Sequence, residues 1–88
     1  MNKVAVFGNA GGGKSTLSKH LAEITGLPMV ALDLLKYKPG GEEVPHEEYK
    51  AAHDQRLQQD QWIMDGYGTL DTVWERLEVA DTLVYVDM

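Results

Sequence analysis

The 88-residue chain contains no cysteine, which excludes disulfide bridges and any metal site built from thiolates. It also has no apolar run near the roughly 18–20 residues that a membrane-spanning helix requires. The first apolar run, residues 4–7, is too short for a secretory signal and is followed at once by a glycine-rich stretch. We therefore expect a cytoplasmic protein without membrane contact.

Positive charge is scarce as well. The eight Lys and Arg residues are outnumbered by 14 Asp and Glu, which gives a formal net charge of −6. Direct nucleic-acid binding is not expected, because it generally requires a basic face. The first 22 residues hold Lys3, Lys14 and Lys19 but none of the acids. This acid-free end favours an anionic ligand, since a carboxylate would repel one, although chance clustering gives the same pattern.

Short apolar strands alternate with amphipathic helices along the chain. The pattern predicts strands over residues 2–7, 28–32, 62–64 and 82–86, and helices over residues 13–25, 46–60 and about 70–77. This β-α-β-α-β-α-β order implies an α/β fold, with right-handed crossovers and a parallel sheet covered on both faces. The length suits one domain over residues 1–88. Trp62 and Trp74 are expected in its core, and residues 38–41 are expected to form a turn.

A glycine-rich segment connects the first predicted strand to the first predicted helix. Residues 8–15, GNAGGGKS, fit the pattern G-x-x-x-x-G-K-[ST], whose backbone N–H groups surround a phosphate. Glycine permits the positive φ angles and close approach that this path requires. The start of the helix adds N–H donors and the positive end of its dipole. The predicted phosphate-binding residues are Gly8, Asn9, Ala10, Gly11, Gly12, Gly13, Lys14, Ser15 and Thr16.

Two side chains of this segment have separate predicted roles. Lys14 is predicted to reach the β- and γ-phosphates of ATP or another nucleoside triphosphate, which makes it a catalytic candidate. The hydroxyl of Ser15 is predicted to ligate Mg²⁺, a hard ion that prefers oxygen. The alternative is a glycine-rich turn with an incidental lysine, but the full pattern between a strand and a helix is rare by chance.

Aspartates follow two further predicted strands. Asp65 stands at the carboxyl end of a strand, where open α/β sheets bind ligands, and is predicted to hold a water molecule on the Mg²⁺. Asp33 follows the second strand in the same way and is predicted to orient an acceptor hydroxyl or act as a base. Structural alternatives stay open: Asp65 also suits a turn before Gly66, and Asp33 also suits a helix cap or turn.

Four basic residues between Asp33 and Trp62 are candidates for contact with an acceptor phosphate: Lys36, Lys38, Lys50 and Arg56. The same stretch holds four glutamates, so a solvated helix of mixed charge is the favoured interpretation. The three histidines show no metal-ligand spacing and are expected at the surface or partly buried: His20, His46 and His53.

These motifs together resemble the adenylate-kinase-like branch of the P-loop proteins, which comprises small-molecule kinases. More narrowly, they are similar to the bacterial DNA topology modulation proteins and related kinases. The resemblance covers essentially the whole chain through GNAGGGKST, LDLL, KPGG, PHEEY, WIMDGY and ADTLVYVDM, in that order. It implies a three-layer P-loop fold with strand order 2-3-1-4, a nucleoside triphosphate donor and Mg²⁺. It also implies that residues 33–60 bind a small-molecule acceptor.

The chain departs from this family pattern in two places. Residues 66–68 are Gly-Tyr-Gly where many relatives have Gly-Asn-Tyr. Relatives also continue with a lid that carries arginines and with a fifth strand, so the chain is expected to be the N-terminal half of such a kinase. Its open fourth strand invites pairing with a second copy. The resulting hypotheses are an ATP-dependent phosphotransferase, a nucleotide-binding regulatory module with little or no hydrolysis, and a folded remnant that binds nothing tightly.

Overall fold

The computed structural model describes residues 1–8 and 14–86, and they form a four-stranded sheet with helices on both faces. The strands are β1 (Lys3–Gly8), β2 (Met29–Ala31), β3 (Trp62–Asp65) and β4 (Thr82–Val86). The helices are α1 (Lys14–Thr25), α2 (Leu32–Lys36), α3 (His46–Leu57) and α4 (Leu70–Val79). Within these described ranges, no helix has the length and apolarity needed to cross a membrane.

All strand pairs are parallel, and the strand order is β2-β3-β1-β4. Val6 of β1 lies opposite Asp65 of β3, and Asp65 lies opposite Ala31 of β2. The predicted α/β class, the parallel sheet and the strand order are therefore confirmed.

The two faces of the sheet form separate apolar clusters, because successive side chains of a strand point to opposite faces. Val4, Val6 and Ile63 pack with Leu27, and Leu21 of α1 covers them. On the opposite face, Trp62 and Met64 pack with Val30 and Leu32, and three partly buried residues surround them: Leu35, Leu57 and Ala80. The β3 sequence WIMD is buried throughout because both of its faces are covered.

The second strand is shorter than predicted. It ends at Ala31, and Leu32 begins the five-residue helix α2, which the sequence pattern did not predict. Leu32 and Leu35 are three residues apart, so a helical turn brings both onto the cluster around Trp62. Helix α3 likewise ends at Leu57 rather than at residue 60, because no apolar residue follows until Trp62. The turn predicted at residues 38–41 is confirmed, with a 2.8 Å bond from Gly41 N to Lys38 O.

Helix α4 presents a different face to the sheet from the one expected. Trp74 is 62% exposed rather than in the core, whereas Thr72 and Arg76 are fully buried. His53 of α3, expected at the surface or partly buried, is also fully buried. The reason is that α3 and α4 meet through hydrogen bonds between polar side chains, beginning with a 2.9 Å bond between Tyr49 and Thr72. Trp62 is in the core as predicted.

Asp81 joins the beginnings of β1 and β4. Its carboxylate accepts hydrogen bonds from the backbone N–H groups of Asn2 and Lys3, at 2.8 and 3.0 Å. Its own N–H donates to the carbonyl of Lys3 at 2.9 Å. The backbone N–H of Asn2 and the hydroxyl of Thr82 lower the pKa of Asp81 by bonding to its charged form. The ADT segment therefore aligns the edge strand with the centre of the sheet.

Candidate functional site

The carboxyl ends of the parallel strands meet at one edge of the sheet. The register that places Asp65 opposite both Val6 and Ala31 brings the ends of three strands together there. The N–H of Gly66 continues the pairing by donating to Val6 O at 3.1 Å. In open α/β sheets this edge is where ligands bind, so the candidate site is built around it.

Asp65 closes β3 at this edge, where the strand pattern predicted it. It is 4% exposed, and its neighbours in the sheet are Val6 of β1 and Ala31, the last residue of β2. A carboxylate supplies the hard oxygen donors that Mg²⁺ prefers, directly or through a bound water. The position and chemistry of Asp65 therefore fit a metal site next to the end of β1.

The predicted phosphate loop follows β1. Gly8 is the last residue of that strand and is buried. Residues 9–13, which carry the predictions for Asn9, Ala10, Gly11, Gly12 and Gly13, lie outside the described residues. Lys14 and Ser15 open α1, and Thr16 is exposed in its first turn. That first turn contains no acidic residue, so the positive end of the helix dipole is not neutralised from within the helix.

A cavity of about 180 Å³ lies beside the strand ends. Asp33, Lys36 and Tyr37 line one side of it, residues 66–68 line another, and Gly8 borders it as well. Its volume is below the range of about 300–1,000 Å³ that is typical of drug-sized ligands. The cavity therefore suits a small ligand next to the predicted phosphate loop.

The sequence pattern predicted Asp33 directly after the second strand, but β2 ends at Ala31 and Leu32 already begins α2. Asp33 lies in the first turn of α2, and its side chain is exposed towards this cavity. Its carbonyl accepts the N–H of Tyr37 at 2.9 Å, which closes the short helix. Asp33 is therefore not the cap of α2, which is Ala31, but a residue within the helix, and the position still lines the cavity.

Lys36 is the one member of the four-residue basic set that lines this cavity. Its ammonium donates to Gly68 O at 3.2 Å and lies 5.5 Å from the centre of the Tyr37 ring. Lys38 forms the neighbouring turn, where its N–H donates to Glu42 O. The sequence alone did not separate Lys36 from the other basic residues, because only the tertiary structure places it opposite Gly68.

Lys50 and Arg56 lie elsewhere. The ammonium of Lys50 bonds to Glu75 at 2.6 Å and to Asp54 at 2.9 Å, and these contacts raise its pKa. Arg56 borders a larger cavity of about 320 Å³ together with Trp62 at the amino end of β3. That cavity lies at the opposite edge of the sheet from Asp65, so it is separate from the candidate site despite its size.

The segment of residues 66–68 forms a wall of the smaller cavity. Gly66 and Gly68 have φ values of 118° and 69°, which favour glycine. The Tyr67 ring packs against Phe7 of β1, with 5.3 Å between ring centres. Buried Arg76 donates to the carbonyls of Gly66 and Tyr67. Sequence reasoning missed Arg76, because its partners lie in other segments and the spacing within α4 does not reveal them.

Comparison with known proteins relates the chain to a kinase by fold. No family model matches the sequence, and neither does any curated protein. Among solved structures, the crystal structure of a gluconokinase from Sinorhizobium meliloti 1021 matches with a TM-score of 0.61 at 22% sequence identity. The match covers 98% of this chain and 56% of the gluconokinase chain. The chain thus shares the α/β fold of this kinase and spans little more than half the length of that structure.

Proposed function

We propose that the chain binds ATP through residues 8–16 and belongs to a phosphotransferase that acts on a small, polyhydroxylated acceptor. The observation that carries the proposal is the cavity of about 180 Å³ where Asp33 and Lys36 lie next to Gly8, the residue that begins the phosphate-binding pattern. Donor and acceptor would then meet at the carboxyl edge of the sheet. In-line phosphoryl transfer requires that the two be held close together in this way.

The residues of the donor site have distinct proposed roles. The backbone N–H groups of the loop and of the start of α1 bind phosphate oxygens, and Lys14 contacts the β- and γ-phosphates. Ser15 and Asp65 are the proposed holders of Mg²⁺, with Asp65 acting through water. When bound, Mg²⁺ would neutralise charge on the transferring phosphoryl group.

The acceptor side is proposed from the chemistry of the cavity. The Asp33 carboxylate can accept a hydrogen bond from an acceptor hydroxyl and so orient it towards the γ-phosphate. Lys36 supplies a positive charge for an anionic group on the acceptor, and Tyr37 and Tyr67 supply apolar ring surface for its carbon skeleton. The structural neighbour is named a gluconokinase, which supports a hydroxylated carboxylic acid as the acceptor class.

Donor binding is tested first, by thermal unfolding with and without ATP and Mg²⁺. A ligand at about 100 times its Kd stabilises the native state by about 2.7 kcal/mol, so the melting temperature should rise. Lys14→Ala should abolish the rise, whereas Lys19→Ala, an exposed lysine of the same helix, should retain it. No rise in the unmodified protein would refute ATP binding.

Transfer is tested second, by ADP release in the presence of sugar acids, neutral polyols and nucleoside monophosphates. The proposal expects release that depends on a hydroxylated acid. ATP binding without acceptor-dependent release would instead support the alternative, a nucleotide-binding regulatory module. Release with nucleoside monophosphates alone would contradict the proposed acceptor class.

A further inference from the structure

Arg76 of α4 is a cation buried in the interior of the molecule. Its side chain is fully buried, and its guanidinium lies 5.5 Å from the centre of the Phe7 ring. One terminal nitrogen lies 3.1 Å from His53 Nε2, and the other donates to Gly66 O at 3.2 Å and to Tyr67 O. None of these acceptors is a carboxylate. Desolvating a buried cation costs free energy, and the contacts of Arg76 must offset this cost.

His53 holds Arg76 from the side of α3 and is neutral when it does so. An arginine only donates hydrogen bonds, so Nε2 of His53 must be the acceptor and Nδ1 must carry the proton. Nδ1 then donates to Asp54 at 3.1 Å. This arrangement also explains the nearby grouping of His53, Asp54 and Glu75, whose ligand atoms are close enough for a metal ion. A protonated Nδ1 cannot ligate a metal, and the Lys50 ammonium already bridges the two carboxylates.

The carbonyls that Arg76 binds belong to consecutive residues in the wall of the proposed acceptor cavity. Gly66 and Gly68, on either side of Tyr67, have positive φ values, so the wall follows a path that few sequences adopt. The buried guanidinium binds both carbonyls, at 3.2 Å for Gly66 O, and so ties this wall to the interior. One terminal nitrogen holds both carbonyls while the other reaches His53, a division that the single nitrogen of a lysine does not reproduce.

We propose that Arg76, anchored by His53, is a positioning residue that fixes the conformation of residues 66–68 and thereby shapes the acceptor cavity. Its effect on an acceptor rests on the proposed function; its effect on the backbone does not. Positioning of this kind has large consequences, because a displacement of ~1 Å at a reacting group can cost about 100-fold in rate.

The test compares Arg76→Lys with Arg56→Lys, a matched change at the exposed arginine. Backbone amide NMR and hydrogen exchange of the full chain are recorded for both variants. Arg76→Lys should shift the amide signals of Gly66, Tyr67 and Gly68 and speed their exchange at least about tenfold, while the amide of Ile63 in β3 keeps its protection. Arg56→Lys should change none of these.

Two outcomes would overturn the proposal. One is a folded Arg76→Lys variant whose signals for residues 66–68 match the wild type. The other is faster exchange spread evenly over β1, β3 and α4, which would show a general loss of stability. If Arg76→Lys does not fold, NMR of the wild-type guanidinium groups provides the test. Slow rotation and slow proton exchange at Arg76, but not at Arg56, support the proposal. Free rotation of the Arg76 guanidinium overturns it.

Kinetics separate this inference from the proposed function. Where acceptor-dependent ADP release is observed, Arg76→Lys should raise the KM for the acceptor about tenfold and leave the KM for ATP unchanged. An equal rise in both KM values would contradict a role at the acceptor wall. If the wild type releases no ADP with any acceptor, the proposed function fails while the NMR comparison still decides the role of Arg76.

Discussion

A Cβ atom added to Gly68 would overlap the hydroxyl oxygen of Tyr49. That hydroxyl is fixed by its 2.9 Å hydrogen bond to Thr72, in the buried contact between α3 and α4. The wall of the candidate cavity therefore touches the polar interior directly, without an intervening layer. The shape of the cavity and the packing of the two helices depend on each other.

Gly68→Ala should destabilise the protein by at least about 2 kcal/mol, because the new methyl group meets Tyr49 and the residue must keep a positive φ. Urea unfolding measures the change. Gly40→Ala is the control, since a Cβ there meets nothing within 4 Å and the change should stay within about 0.5 kcal/mol. Adding Tyr49→Phe should recover part of the free energy of unfolding that Gly68→Ala loses. Equal losses for Gly40→Ala and Gly68→Ala would contradict the contact between Gly68 and Tyr49.

Stability should fall as the pH drops below about 6.5, through His53. Burial lowers the pKa of His53 in the folded state, and Arg76 adds to this against the opposing effects of Asp54 and Glu75. As the pH falls, the unfolded chain therefore binds a proton at His53 before the folded chain does. The contribution of neutral His53 to the free energy of unfolding is complete above the unfolded pKa. It is lost as the pH falls towards the lower pKa of the folded state. The Lys50 ammonium bonds to Asp54 beside His53, and the Tyr49 ring lies 6.0 Å from the His53 ring.

Urea unfolding from pH 7.5 down to pH 5 measures this dependence. This pH range lies above the one in which Asp54 titrates. Burial raises the pKa of Asp54, but hydrogen bonds from Lys50 and His53 outweigh this effect and lower the pKa to about 2. His53→Gln should remove the loss of stability between pH 7 and 5, and His20→Gln, an exposed control, should retain it. An identical pH profile for His53→Gln and the wild type would refute the role of His53.

The two tryptophans should respond very differently to replacement. Trp62 is 1% exposed and its indole N–H donates to Leu57 O at 3.3 Å, so Trp62→Ala should cost about 3–5 kcal/mol. Trp74→Ala should change the free energy of unfolding by less than about 1 kcal/mol, since its side chain is largely exposed. Acrylamide should quench Trp74 more strongly than Trp62 in the single-tryptophan variants Trp62→Phe and Trp74→Phe. Similar quenching of both would contradict the orientation of α4.

The proposed role of Asp65 predicts a specific loss of magnesium dependence. Asp65→Asn should still show a rise in melting temperature with ATP, but adding Mg²⁺ should no longer increase that rise, because an amide holds a metal-bound water less well than a carboxylate. Each variant is compared with its own melting temperature without ligand. Asp60→Asn, an exposed control, should behave as the wild type, and full magnesium dependence in Asp65→Asn would remove Asp65 from the metal site.

The open edge of the sheet predicts self-association. Among the described strands β4 is terminal and pairs with β1 alone, and its Leu83 and Tyr85 side chains are exposed. Such an edge can pair with the same strand of a second copy. Sedimentation velocity over a range of concentrations should show a dimer that Leu83→Lys weakens. Leu34→Lys, at an exposed leucine of α2, should leave the dimer intact, and a wild type that stays monomeric throughout would refute the prediction.

Much of the fold could be predicted from local pattern. The apolar runs around Val4, Ile63 and Leu83 were recognised as strands because each is short, rich in β-branched or large apolar residues and bounded by turn residues. Their alternation with helices required a parallel sheet, while the strand order came from the family resemblance. The end of β2 was missed, because whether Leu32 extends a strand or starts a helix depends on where the Trp62 cluster lies.

The sequence by itself determined the glycine-rich pattern between the first strand and helix, the parallel α/β architecture and the position of Asp65 at a strand end. These follow from local spacing, which tertiary contacts do not alter. Only the tertiary structure decided that α4 turns Thr72 and Arg76 inward and leaves Trp74 outside. A helix buries the face whose groups find partners, and the partners of Arg76 come from His53 and from residues 66–67, which no periodicity within α4 could reveal.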